Sequence, residues 1–208
     1  MPEQEPKHRP QITQEMISLY DDYTHLSLDR RKFMDSLAKL AGSMSAAATA
    51  AALMASNAQA QGLTEEADPR LVVEDVTYPG DGGDMLGYLA RPAEGGPFGA
   101  VIMVHENRGL NPHIKDVARR MALEGFLVLA PDYLSDQGGT PADEDAARGL
   151  FGNLNAADLA ADGVATIAWL KSREDCNGKV GAMGFCWGGG TVNNLAVASP
   201  DLAAGVAY

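Results

Sequence analysis

The stretch Gly184-Phe185-Cys186-Trp187-Gly188-Gly189-Gly190 places a thiol between glycines two positions away on each side. Gly-x-nucleophile-x-Gly suits a nucleophile on a sharp strand-to-helix turn, where residues two positions away must be small. Gly184 and Gly188 satisfy that need. A helix starting just beyond the thiol points its N-terminus at the sulfur, which favours thiolate over thiol. The backbone N–H of Trp187 then becomes available to an oxyanion. The chemistry is nucleophilic attack on a carbonyl through a covalent thioester. Two plainer readings compete. Free cysteines are often buried and inert in such turns. A glycine-rich phosphate loop would end in Gly-Lys-Ser/Thr, which this stretch lacks.

A second group is His105-Glu106-Asn107-Arg108-Gly109. It begins like the zinc-binding His-Glu-x-x-His but ends in Gly109, so the paired histidines of a helical zinc site are absent. No metal and no organic cofactor is expected. Cys176 and Cys186 form no Cys-x-x-Cys pair, and Cys176 reads as an incidental surface thiol in a polar turn.

These residues need elements to hold them. Leu71–Tyr78 and Met85–Ala90, around Pro79-Gly80-Asp81-Gly82-Gly83, read as an antiparallel hairpin. The apolar runs 100–104 and 126–130 read as strands buried on both faces, the second ended by Pro131-Asp132. Residues 112–124 have helical spacing, with Pro112 in the first turn and Gly125 at the stop. One or two helices follow between 142 and 172, then a strand over 179–184, a helix over 188–198 and a strand from Ala203. Strands alternating with helices predict a mostly parallel α/β sheet with flanking helices. Cys186 and Glu106 both fall at the carboxyl ends of strands, where sites in such sheets form.

Gly-Phe-Cys-Trp-Gly-Gly, preceded by His-Glu-Asn-Arg-Gly-Leu-Asn and Ala-Pro-Asp-Tyr-Leu, resembles the dienelactone hydrolase family, a cysteine-nucleophile branch of the α/β-hydrolases. The likeness runs from about residue 70 to 208. It implies an α/β-hydrolase fold and hydrolysis of a small-molecule ester or lactone. It implies Cys186 as nucleophile and Glu106 as the acid that interacts with it in the resting site. It also implies oxyanion-hole N–H groups from Asn107 and Trp187. The family's substrate-carboxylate arginine has Asp136 in its place, so an anionic substrate would meet a like charge there.

The family's triad acid and histidine follow the nucleophile in the chain. After Cys186 this sequence has one acid, Asp201, and no histidine; the histidines are His8, His25, His105 and His113. The expectation is a hydrolase domain lacking its last strands and helices, with impaired turnover. The alternative is an inactive remnant or a small-molecule binding module.

Before this domain, residues 1–29 read as polar and irregular. Arg30-Arg31-Lys32-Phe33-Met34, an Ala-rich stretch over about 37–55 and Ala58-Gln59-Ala60 follow in the order of an export signal. The paired arginines resemble a twin-arginine (Tat) signal, implying Tat machinery as a partner, cleavage after Ala60 and a periplasmic mature domain from residue 61. The competing reading is an Ala-rich amphipathic helix. A net charge of −12, from 28 acidic against 16 basic residues, disfavours a nucleic-acid partner. Oligomeric state is not legible.

Overall fold

The structure is a computed structural model of the 208-residue chain and describes residues 12–25, 28–58 and 64–208. The chain divides into two compact units, Met1–Gln61 and Gly62–Tyr208.

The first unit contains helices α1 (Gln14–His25), α2 (Arg30–Ala41) and α3 (Met44–Ala58). The irregular segment expected before residue 30 is thus helical over 14–25. Met16, Leu19, Tyr20 and Tyr23 recur at helical spacing, and tertiary burial of that face outweighs the polar residues between them. Tyr23 stacks on Phe33 with ring centroids 4.5 Å apart. Asp29 caps α2 by accepting from the N–H groups of Arg31 and Lys32, and Gly42, with φ 82°, ends it. No helix among the described residues is long and apolar enough to cross a membrane. The expected cleavage point after Ala60 lies outside the described residues.

The second unit is a six-stranded sheet in the order β1-β2-β4-β3-β5-β6. Its strands are β1 (Leu71–Pro79), β2 (Asp84–Pro92), β3 (Phe98–Val104), β4 (Leu127–Asp132), β5 (Cys176–Gly184) and β6 (Ala204–Ala207). The β1–β2 and β2–β4 pairs are antiparallel, and β4, β3, β5 and β6 run parallel. Helices α4 (Pro112–Leu123), α5 (Glu144–Leu150), α6 (Ala156–Ser172) and α7 (Trp187–Ala198) connect them.

Strand pleating sends alternate residues to opposite faces. Leu127, Leu129, Ile102 and Val104 face a core shared with Ile167 and Leu170 of α6 and Val192 and Leu195 of α7. Val128, Ala130 and Met103 face the other core, against Ile114, Ala118 and Ala122 of α4. Each large side chain so buried contributes roughly 1.5–3 kcal/mol. Both sheet faces are therefore covered, which accounts for the uninterrupted apolar runs.

Two boundaries differ from expectation. β4 continues through Pro131 and Asp132, paired with Gly87 and Leu86 of β2. Its ladder with β3 has already ended at Ile102–Leu129, so the N–H that Pro131 lacks is not needed there. β5 begins at Cys176, whose side chain is buried in the α6–α7 core rather than exposed in a turn. That placement corrects the surface-thiol reading: the polar letters around Cys176 point away while its sulfur packs inward.

Candidate active site

Cys186 stands between the end of β5 and the first residue of α7. Its φ of 54° and ψ of −114° make it the only positive-φ residue other than glycine among the described residues. Such a conformation costs on the order of 1–3 kcal/mol and persists only where the surroundings enforce it. They do so here. The Cys186 N–H donates to the Tyr208 carbonyl (2.8 Å), and the Tyr208 N–H donates to the Gly184 carbonyl (3.0 Å). The Gly188 N–H donates to the Phe185 carbonyl (2.9 Å). A Cβ on Gly184 would strike the Gly188 backbone, and one on Gly188 would lie 2.6 Å from the His105 carbonyl oxygen. Both glycines are thus required by backbone, which cannot yield as a side chain could. The thiol itself is exposed. Trp187 opens α7, so its N–H belongs to the first turn, whose donors have no partner within the helix.

Strand register brings the two sequence motifs together. β3 and β5 are parallel neighbours with Val104 opposite Gly184. Glu106 and Cys186 each lie two residues beyond that pair, at the carboxyl edge of adjacent strands. Glu106 and Asn107 are half-buried in the loop after β3.

His105, the residue directly after β3, is fully buried. Its Nδ1 is 2.8 Å from the Glu106 carbonyl oxygen, and its Nε2 is 3.1 Å from the Tyr133 backbone nitrogen. A carbonyl only accepts and an N–H only donates, so the proton sits on Nδ1 and Nε2 accepts. Burial pushes its pKa below the ordinary histidine value, against smaller opposing effects of the Glu106 carbonyl and Asp132. The ring stacks on Trp187 with centroids 5.5 Å apart and an interplanar angle of 10°.

The same loop is pinned from β4. Asp132 accepts from Leu134 N–H (3.0 Å), Thr140 N–H (2.7 Å) and the Thr140 hydroxyl (2.8 Å). The Thr140 hydroxyl in turn accepts from Leu110 N–H (2.8 Å). Arg108 pairs with Glu144 at 2.8 Å.

Other candidates fall elsewhere. Asp136 approaches Gly83 of the β1–β2 turn and joins Asp81 and Asp158 in raising the pKa of Asp162, after burial as the main cause. Asp136 and that turn both lie at the carboxyl edge of the parallel strands, the edge that also carries Cys186. Asp201 pairs with Lys171 at 2.6 Å beyond the far end of α7. The 12 residues of that helix put about 18 Å between its ends. Asp201 is thus at the opposite edge of the sheet from Cys186. His113 lies in the first turn of α4. Among the described residues, no group of three His, Cys, Asp or Glu is arranged to hold a metal.

Sequence reasoning missed His105, Thr140 and the Tyr208 backbone as positioning groups. A histidine directly after a buried apolar strand was the available signal for His105. Nothing local to Tyr208 announces its contact with Cys186.

The model of the family described as "Dienelactone hydrolase family" matches residues 85–208. The chain belongs to the dienelactone hydrolase family. A second family model, described as YqhI-like, matches residues 4–42. A protein described as a hydrolase fragment, YghX of Escherichia coli K12, is 52% identical over 89 residues, 41% of this chain and 76% of its own. A protein of Methylorubrum extorquens with the provisional name carboxymethylenebutenolidase is 34% identical over 66% of this chain and 49% of its own. Among solved structures, a provisionally assigned dienelactone hydrolase from Klebsiella pneumoniae is similar, with a TM-score of 0.59 and 32% identity. That match covers 66% of this chain and 59% of the other. A dienelactone hydrolase-like promiscuous phosphotriesterase, P91, from metagenomic libraries gives a TM-score of 0.57 at 29% identity, over 67% of this chain and 59% of its own. The chain spans about half the length of the curated carboxymethylenebutenolidases it matches. The sheet here is mixed and mostly parallel, with helices on both faces, and its fold is shared with the Klebsiella pneumoniae structure.

Proposed function

We propose that this chain carries the nucleophile half of a hydrolase acting on small-molecule esters or lactones. The observation that carries the reading is the enforced positive φ of Cys186 at the tip of the β5–α7 turn. That geometry lifts the sulfur clear of the sheet and leaves first-turn N–H groups beside it.

In the first step the Cys186 thiolate attacks the carbonyl carbon and a C–S bond forms. Negative charge moves to the carbonyl oxygen, where the N–H groups of Trp187 and Asn107 stabilise it. The C–O bond then breaks, the alkoxide leaves and takes a proton from water, and a thioester remains. Glu106, at the matching position on the neighbouring strand, is the acid beside the thiol. Water must then cleave the thioester, which needs a base. Both nitrogens of His105 are already committed to hydrogen bonds, and Asp201 is at the wrong edge. Among the described residues neither group is placed to act as that base, so acylation of Cys186 by these residues should outrun deacylation.

The test is the full chain with p-nitrophenyl acetate, beside Cys186→Ala. A single burst of p-nitrophenolate with one acetyl group on Cys186 supports the reading. Absence of any adduct on wild type favours the inactive remnant or binding module, the reading that the placement of Asp201 favours.

For the first unit we propose export by a Tat-like signal, supported by Arg30-Arg31-Lys32 at the start of α2 and the Ala-rich α3. N-terminal sequencing of protein recovered from the cell envelope tests it. A start at residue 61 supports export, and a start at Met1 sinks it.

A further inference from the structure

We propose that His105 is a positioning residue that locks the Glu106–Asn107 loop onto the nucleophile elbow. The proposed reaction gives this histidine no proton to move. It is nevertheless a fully buried imidazole that meets the loop after β3, the residue after β4 and the first residue of α7. Through Nδ1–H it holds the carbonyl of Glu106 and so fixes the peptide that carries the Asn107 N–H. Through Nε2 it accepts the N–H of Tyr133, just after β4. Its flat face lies against Trp187, the first residue of α7. Phe151 and Tyr133 close around it edge-on, with centroids 5.7 Å from the ring. Gly188 is pressed against the His105 carbonyl from the elbow side.

The two hydrogen bonds demand opposite roles from the two ring nitrogens. Only the neutral ring with its proton on Nδ1 can make both. Charging the ring turns Nε2 into a donor facing another donor and breaks the link to β4. The groups around it are the Asp132 carboxylate on the β4 side and the Glu106 backbone on its own loop. Asp132 favours the charged form only through space: the partner of Nε2 is the Tyr133 N–H, and the Asp132 oxygens accept from Leu134 and Thr140.

The link to the elbow makes this more than a core histidine. One oxyanion donor is the N–H of Asn107 and the other that of Trp187. His105 bonds the peptide leading to the first and stacks on the ring of the second. Loosening His105 separates the two donors, and a displacement of about 1 Å at a reacting centre can lower a rate by up to roughly 100-fold.

The proposal rests on the hydrolase reading for its rate measurement only. The full chain is acylated with p-nitrophenyl acetate, and both the burst rate and the ester concentration at half saturation are read. His105→Phe keeps a flat ring against Trp187 and removes both hydrogen bonds. It should slow acylation at least tenfold, on the order seen for misplaced groups, with the half-saturating concentration unchanged. His105→Gln, whose side-chain oxygen can accept from Tyr133, should recover most of the rate. A folded His105→Phe acylated at the wild-type rate overturns the proposal. Nitrogen-15 NMR of the wild-type ring needs no variant. A neutral ring protonated at Nδ1 at neutral pH is expected, and a proton on Nε2 or a charged ring overturns the proposal. If wild type is not acylated while the Nδ1–H tautomer is found and Tyr133 amide exchange accelerates in His105→Phe, the hydrolase reading fails and the lock stands.

Discussion

At the residue scale, Cys186 carries both the proposed chemistry and the strain. Its backbone conformation is one that glycine adopts freely. We expect Cys186→Gly to raise stability by about 1 kcal/mol, while Cys186→Ala, which retains a Cβ, does not. Urea midpoints of the three proteins check this, and equal midpoints would mean that the turn is unstrained. His105 makes a second prediction. Its folded-state pKa lies below the value near 6.5 of an unfolded chain, because burial opposes the charge. The unfolded chain therefore binds more protons between those two values. The stability this neutral ring contributes is fully present above about pH 6.5 and is lost as pH falls through the lower folded value. A wild-type melting temperature that declines below neutrality, with His105→Gln declining less steeply, is the expected outcome.

At the element scale, the site is a matter of strand ends and the ties between them. β3 and β5 set Glu106 and Cys186 side by side, and β4 reaches the same loop through Asp132 and Thr140. Thr140→Val keeps the shape of that side chain but removes the acceptor of Leu110 N–H and the donor to Asp132. A loss of about 1–3 kcal/mol is expected, because two partners are left unsatisfied. Acylation of Cys186 should slow in the same variant. Denaturant titration gives the first quantity and burst kinetics the second. An unchanged burst rate would show that this tie steadies the fold without aligning the site. β6 plays its own part, since the backbone of Tyr208 holds both Cys186 and Gly184. Its side chain stacks on Phe185 with centroids 5.1 Å apart.

At the scale of the whole molecule, the two units have separate cores. Buried Met16, Phe33, Leu37 and Met54 form one cluster, and among the described residues the sheet cores draw on residues from Leu71 onward. We expect residues 62–208, produced without 1–61, to fold and to acylate Cys186 at the rate of the full chain. Circular dichroism and the p-nitrophenyl acetate burst measure this. A collapsed or unreactive 62–208 would show that the helical unit is needed by the domain that bears the thiol.

Much of this architecture was legible in the letters. The alternation of apolar strands and amphipathic helices follows from periodicity, because burial on both sheet faces leaves no polar position in a strand. The glycines around Cys186 announced the turn, because a chain that reverses so sharply excludes a Cβ two residues away. Where local signals were weak, tertiary burial decided instead. Helix α1 forms because Met16 and Tyr23 find partners on α2 and α3, and Cys176 turns inward because β5 starts earlier than its polar flank suggests. The roles of His105, Asp132, Thr140 and Tyr208 depend on contacts between segments far apart in the chain. No spacing rule reports such contacts. A sequence shows which groups can accept or donate a hydrogen bond; only the strand order and register decide which partner each one meets.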